Sequence, residues 1–154
     1  MRFERFGERY IVRVESGEPL IETLTNFLTE QGIEFANVGA AGAVRSVQLG
    51  YWNAGSRQYE YHDFKEQLEV VSFQGNASLK EGAPFLHVHG VFGRRDFSTI
   101  GGHVKEAHVH PTFEVWLRIE DVPIRRARDE ASGLDLLDLS QRADQPERAA
   151  RGDS

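Results

Sequence analysis

A single stretch of this chain repeats its apolar residues at helical period, and the segments around it alternate at period two. Leu20, Ile21, Leu24, Phe27 and Leu28 fall at i, i+1, i+4, i+7 and i+8, one stripe of an amphipathic helix. Pro19 stands near its first position and Gly32 is a natural stop. Before it, residues 8–15 read as a β-branched strand. After it, Val47, Leu49 and Tyr51 alternate with polar or small residues, and residues 58–64 return from a turn at Asn53–Ser56. Further strands are expected over residues 68–73, ended by Gln74-Gly75-Asn76, and over 84–92, 98–105 and 112–119. One helix among many short strands predicts an α+β fold, a mainly antiparallel twisted sheet with the helix packed on one face.

A chain of 154 residues fits one domain with an ordinary core. That domain is expected over residues 1–139, and residues 140–154, which lack apolar periodicity, read as a disordered tail. The Arg-Gly-Asp at 151–153 reads as a chance occurrence in that tail. No stretch of 18 apolar residues predicts a membrane span, and the first residues show no secretory signal pattern, so a cytoplasmic protein is the simpler expectation. The absence of cysteine excludes disulfides, thiolate metal sites and thiol catalysis. A net charge of −6 weighs against direct binding of nucleic acid. Gly39-Ala40-Ala41-Gly42-Ala43 lacks the Lys-Ser/Thr of a phosphate loop and reads as a stretch packed closely by small residues.

Five of the six histidines lie between positions 87 and 110. On a strand, His87 and His89 share a face, roughly 6.5–7 Å apart. If the arms around Arg94-Arg95-Asp96 pair about a turn centred on Asp96, His103 falls opposite His89, with His87 its diagonal neighbour. Three neutral imidazoles then surround one point, a donor set that suits zinc and leaves a fourth position for water or substrate. Gly101-Gly102 before His103 would let the backbone bend or let another chain approach closely. His-x-His also occurs by chance on solvated strands. His108 and His110 form a second such pair. On an unbroken strand His108 points away from His103, so this pair completes the site only if the chain bends near Glu106. His62 is placed outside it. Glu106 and Glu114 are the candidate catalytic carboxylates, as general base, further ligand or orienting group. Each alone also reads as a solvated glutamate. Arg94 and Arg95 could draw an anionic ligand or be plain turn charges.

Several stretches together resemble the plant-and-prokaryote conserved domain family: Asn37–Ala43, Leu68–Asn76, Pro84–His89, Gly101-Gly102-His103 and Thr112–Val115. The resemblance spans about residues 5–122. It implies a homotrimer with a fold similar to that of acetolactate decarboxylase, a zinc enzyme using three histidines. It also implies that His87, His89 and His103 are metal ligands. In plants the domain sits beside an AT-hook, which this chain lacks. His108 and His110 depart from the family pattern, where apolar residues are usual, leaving room for a modified pocket.

The expected function is thus a trimeric zinc-binding domain with a pocket for a small anionic ligand, with lyase or hydrolase chemistry if it is an enzyme. The alternative is a DNA-associated regulator acting directly or through protein partners, and a third reading is a trimeric scaffold.

Overall fold

A computed structural model describes residues 1–120 and 122–140. Strands β1 (Arg2–Phe6) and β2 (Arg9–Glu15) precede helix α1 (Leu20–Glu30). Then follow β3 (Ala36–Asn53), β4 (Gln58–Phe64), β5 (Leu68–Lys80), β6 (Ala83–Gly93) and β7 (Thr99–Ile119). A short hairpin, β8 (Arg126–Asp129) and β9 (Leu134–Leu137), ends the described chain.

β1 to β7 form one antiparallel sheet in the order β1-β2-β7-β6-β5-β3-β4. β3 also pairs with β7, so β3, β5, β6 and β7 close into a ring. Closure removes free edges from β6 and β7, which carry five of the six histidines. The ring is filled by alternating apolar side chains, including Val44, Leu68, Val88, Phe92, Val109 and Phe113, all fully buried. Phe73 meets Phe113 edge to face at 5.1 Å. Helix α1 buries Leu20, Leu24, Phe27 and Leu28, and Phe27 packs edge-on against Tyr10 at 5.3 Å. Each such burial stabilises by about 1.5–3 kcal/mol. An 11-residue helix is marginal alone, so packing holds it in place.

The antiparallel sheet with one helix is the expected architecture, but several elements differ: β1 was not expected, and β3 starts at Ala36 and takes in the small-residue stretch before Val47. β5 does not stop at Gly75; it continues to Lys80. A Cβ at Gly75 would lie 2.0 Å from the His87 carbonyl oxygen, so this glycine permits a close approach of β5 to β6 and does not end the strand. The two strands expected over 98–105 and 112–119 are one strand, β7, whose register against β3 slips between Val104 and Glu106. Two period-two patterns out of phase are the signature of a bulge. The hairpin β8–β9 was not expected. It is strapped to β5 by the Leu79 amide donating to the Ile124 carbonyl at 3.1 Å.

The small-residue stretch lies within β3: Gly39 sits beneath the Trp116 ring, and Gly42 adopts φ +147° at a register shift. Among the described residues no helix is long and apolar enough to cross a membrane. Of the expected tail, only Ser140 is among the described residues.

Candidate metal centre

The β6–β7 hairpin is centred on Asp96, and its register sets His89 opposite His103. On β6, Leu86, Val88 and Phe92 face the core, which turns His87 and His89 to the other side. Across the turn, Gly101 and Gly102 allow the strands to close. A Cβ at Gly102 would stand 2.9 Å from the Gly50 carbonyl oxygen, and one at Gly101 3.0 Å from that of Gly90. The glycine pair therefore serves close backbone approach and not a bend, since neither has a positive φ.

The three imidazoles form a nearly equilateral triangle. Ring centroids are 5.2 Å apart for His87–His89, 5.2 Å for His87–His103 and 5.5 Å for His89–His103. Each offers one nitrogen, and these nitrogens lie within 4.8 Å of one another. His103 is 8% exposed. Burial first, and then the neighbouring His87 and His89, push its pKa down to about 4. Burial, followed by Arg126 and His89, does the same for His87, again to about 4. Both rings are therefore neutral at neutral pH, with a lone pair free to coordinate. Nδ1 of His103 is buried without a hydrogen-bond partner. Three converging imidazoles, graded from the buried His103 through the half-buried His87 to the exposed His89, fit a divalent transition metal with one side open.

A cavity of about 620 Å³ adjoins His87 and His103. One wall is aromatic and comes from β3 and β4. Tyr59 lies 5.0 Å from the His103 ring, 5.1 Å from Trp52 and stacked on Tyr61 at 5.6 Å. Burial, with Tyr61 beside it, holds the Tyr59 phenol above its ordinary pKa. The facing wall is the β8–β9 hairpin, fixed by Arg126. Its Nε donates to Ser78 Oγ at 2.8 Å, Nη1 to the Asp135 carbonyl at 2.8 Å and Nη2 to Asn76 Oδ1 at 2.9 Å.

The other candidate residues lie elsewhere. Glu106 is built into the start of α1. Pro19, the N-cap residue, makes no side-chain cap. Instead the Ile21 amide donates to Glu106 Oε1 at 2.7 Å and the Glu22 amide to Oε2 at 3.2 Å. A carboxylate there satisfies orphan donors and complements the helix dipole. Glu114 is exposed on β7, opposite Arg13 of β2 and Ala41 of β3. Eleven residues of extended chain separate it from His103, on the order of 30 Å.

The slip beside Lys105 changes the parity of β7, so Ala107 and Val109 face the core while His108 and His110 point outward. The chain is thus irregular near Glu106, yet the second pair stays out of the triangle. His108 Nδ1 is 3.4 Å from Ser46 Oγ, and His110 Nδ1 is 3.0 Å from Ser16 Oγ. His62 packs on Phe64 at 4.7 Å, away from the triangle. Arg94 pairs with Glu66 at 3.1 Å, and Arg95 is exposed in the turn.

Arg126, Tyr59 and Asn76 were not singled out from the sequence. They come from β8, β4 and β5 and meet the histidines only in the fold. The alternation of Leu134, Asp135 and Leu136 after Ser132-Gly133 was the available signal for the hairpin that carries Arg126.

Solved structures resemble this one closely. A metal-containing protein of Archaeoglobus fulgidus is 35% identical, with a TM-score of 0.80 over 89% of this chain and 98% of that one. A protein of Bacteroides thetaiotaomicron that bears a provisional DNA-binding name is 27% identical, with a TM-score of 0.86 over 89% and 96%. Acetolactate decarboxylase of Bacillus subtilis shares the fold at 12% identity, with a TM-score of 0.54 over 75% of this chain and 54% of that one. No curated protein matches the sequence. The sequence pattern of the Plants and Prokaryotes Conserved (PCC) domain matches residues 1–119. By that match and by its closed antiparallel sheet, the chain belongs to the Plants and Prokaryotes Conserved domain family.

Proposed function

We propose that this protein binds one zinc ion, or a similar divalent transition metal, through His87, His89 and His103, and presents it to a small ligand in the adjoining cavity. The observation that carries this reading is the triangle of imidazoles, two of them neutral at neutral pH and one with a buried nitrogen lacking a partner. The metal-containing name of the Archaeoglobus relative supports it. Zinc held by three imidazoles supplies Lewis acidity and a water of lowered pKa, the chemistry of a lyase or a hydrolase. The chain's own contribution is to hold the rings in register across β6 and β7 and to wall the cavity with Tyr59 and Arg126. Glu106 and Glu114 are given no part in that chemistry, because the cavity does not include them.

The protein is further proposed to act as a homotrimer. Ile11 and Trp116, directly opposed on β2 and β7 and each about half exposed, offer an apolar outer face for a neighbouring copy. Sedimentation equilibrium reads the mass directly, and a monomer at micromolar concentration overturns this part.

Calorimetric titration of the metal-free chain with zinc tests the central reading. One ion per chain is expected, and no uptake overturns it. The DNA reading rests on a relative's provisional name and runs against a net charge of −6. A mobility shift in low salt at micromolar protein would favour it.

A further inference from the structure

Arg126 has no ion-pair partner among the described residues, and the Asp135 carboxylate attracts it only from beyond 4.0 Å. It is half-buried, with its guanidinium carbon 5.2 Å from the centre of the Phe85 ring. Its three hydrogen-bond partners are a hydroxyl, a backbone carbonyl and an amide oxygen, all uncharged. Among the described residues no carboxylate lies within 4.0 Å of it. The nearest candidate, Asp135, is engaged by Lys80 at 2.6 Å and by Arg128 at 3.6 Å. A half-buried cation hydrogen-bonded only to neutral groups, with its one nearby acid shared with Lys80 and Arg128, is stabilised by a further counter-charge.

The cavity wall adds Lys80, Lys105 and Arg128 to Arg126, against Asp135 as the one acid. This local excess of positive charge stands in a chain whose net charge is −6. A guanidinium has five N–H groups. Three are committed, which leaves one on each terminal nitrogen. Two donors on one planar group match the two oxygens of a carboxylate. The cavity, at about 620 Å³, has the size of a small-molecule site.

We propose that the ligand of this cavity is a small dicarboxylate, one end seated on Arg126 and the other directed at the three-histidine cluster. The β8–β9 hairpin, which lies beyond the family match at residues 1–119, is then the element that reads the ligand's charge. The second half of this statement rests on the proposed metal site; the Arg126 half does not.

Calorimetric titrations of the full chain with succinate, succinamide and inorganic phosphate, each with and without zinc, test it. Succinate should bind at least tenfold more tightly than succinamide and more tightly than phosphate, and zinc should tighten it further. Arg126→Gln should weaken succinate at least tenfold while leaving zinc stoichiometry unchanged, and Arg126→Lys should restore part of the loss. Equal affinity for succinate and succinamide overturns the proposal, as does preference for phosphate or an Arg126→Gln chain that binds succinate normally. Circular dichroism checks that Arg126→Gln keeps its fold. If it does not, the preference of the unmodified chain for succinate over succinamide decides. A chain that takes up no zinc yet discriminates succinate through Arg126 overturns the metal reading and leaves the arginine site standing.

Discussion

Two His-x-His pairs lie on neighbouring stretches of the same sheet, and among the described residues only one gathers a third histidine beside it. His87 and His89 on β6 face a third histidine across the hairpin, because the turn at Asp96 places His103 opposite His89. His108 and His110 on β7 also share a face, but what stands near them is Ser46 and Ser16. Spacing along a strand thus provides only two donors. A third must come from the partner strand at the right register. The first pair has that third donor, and among the described residues the second has none.

Replacing one member of each set breaks this comparison most sharply. His103→Ala should weaken zinc affinity on the order of a hundredfold or more, since even residues that merely orient ligands cost 10–100-fold. The double change His108→Ala and His110→Ala should leave it within about twofold. Competition against a chromophoric chelator measures both, and equal losses would erase the distinction.

Next in size is a change that touches no histidine. Gly75→Ala drives a methyl group against the His87 carbonyl, so β5 and β6 must part. The expected cost is about 1–3 kcal/mol of stability, with weaker zinc binding as His87 moves. A fully stable Gly75→Ala chain with normal zinc affinity contradicts the close approach.

Acid should act on the first set of histidines in a known direction. Folded, His87 and His103 take protons only near pH 4, against 6.5 for an ordinary histidine. The unfolded chain therefore binds more protons between those values, and the metal-free protein loses stability as pH falls from about 6.5 to about 4. Above that window these two rings contribute no slope, and below it their loss is complete. Urea unfolding at pH 7 and pH 5 reads the difference, which His103→Ala should reduce and His108→Ala should not.

The smallest effect belongs to Glu106. Its replacement by alanine removes the cap on α1 and should cost about 1 kcal/mol, lowering Tm by a few degrees, with zinc affinity untouched. Loss of zinc binding in Glu106→Ala would return this residue to the metal site.

The triangle was legible in the sequence because everything that builds it is local. Two strands joined by one short turn have their register set by the turn, and the period of two then fixes the face of each ring. Helix α1 was legible for a similar reason, its stripe lying within eleven residues. Longer-range features were not. The single strand β7 reads as two because the slip beside Lys105 interrupts its alternation, and nothing local reveals that β3 runs alongside both halves. Glu106 gave no sign of capping a helix whose capped amides lie 85 and 84 residues away. Arg126 reaches the site only through the hairpin strapped to β5, a contact that no periodicity encodes.

Elemental analysis of the purified chain beside two variants tests the central claim most directly. The unmodified protein and the His108→Ala, His110→Ala double variant should each carry about one transition-metal ion per chain, and a His87→Ala, His89→Ala, His103→Ala variant should carry none. A metal-free wild-type chain that stays metal-free after incubation with zinc, or a triple variant that still holds its ion, would contradict the account.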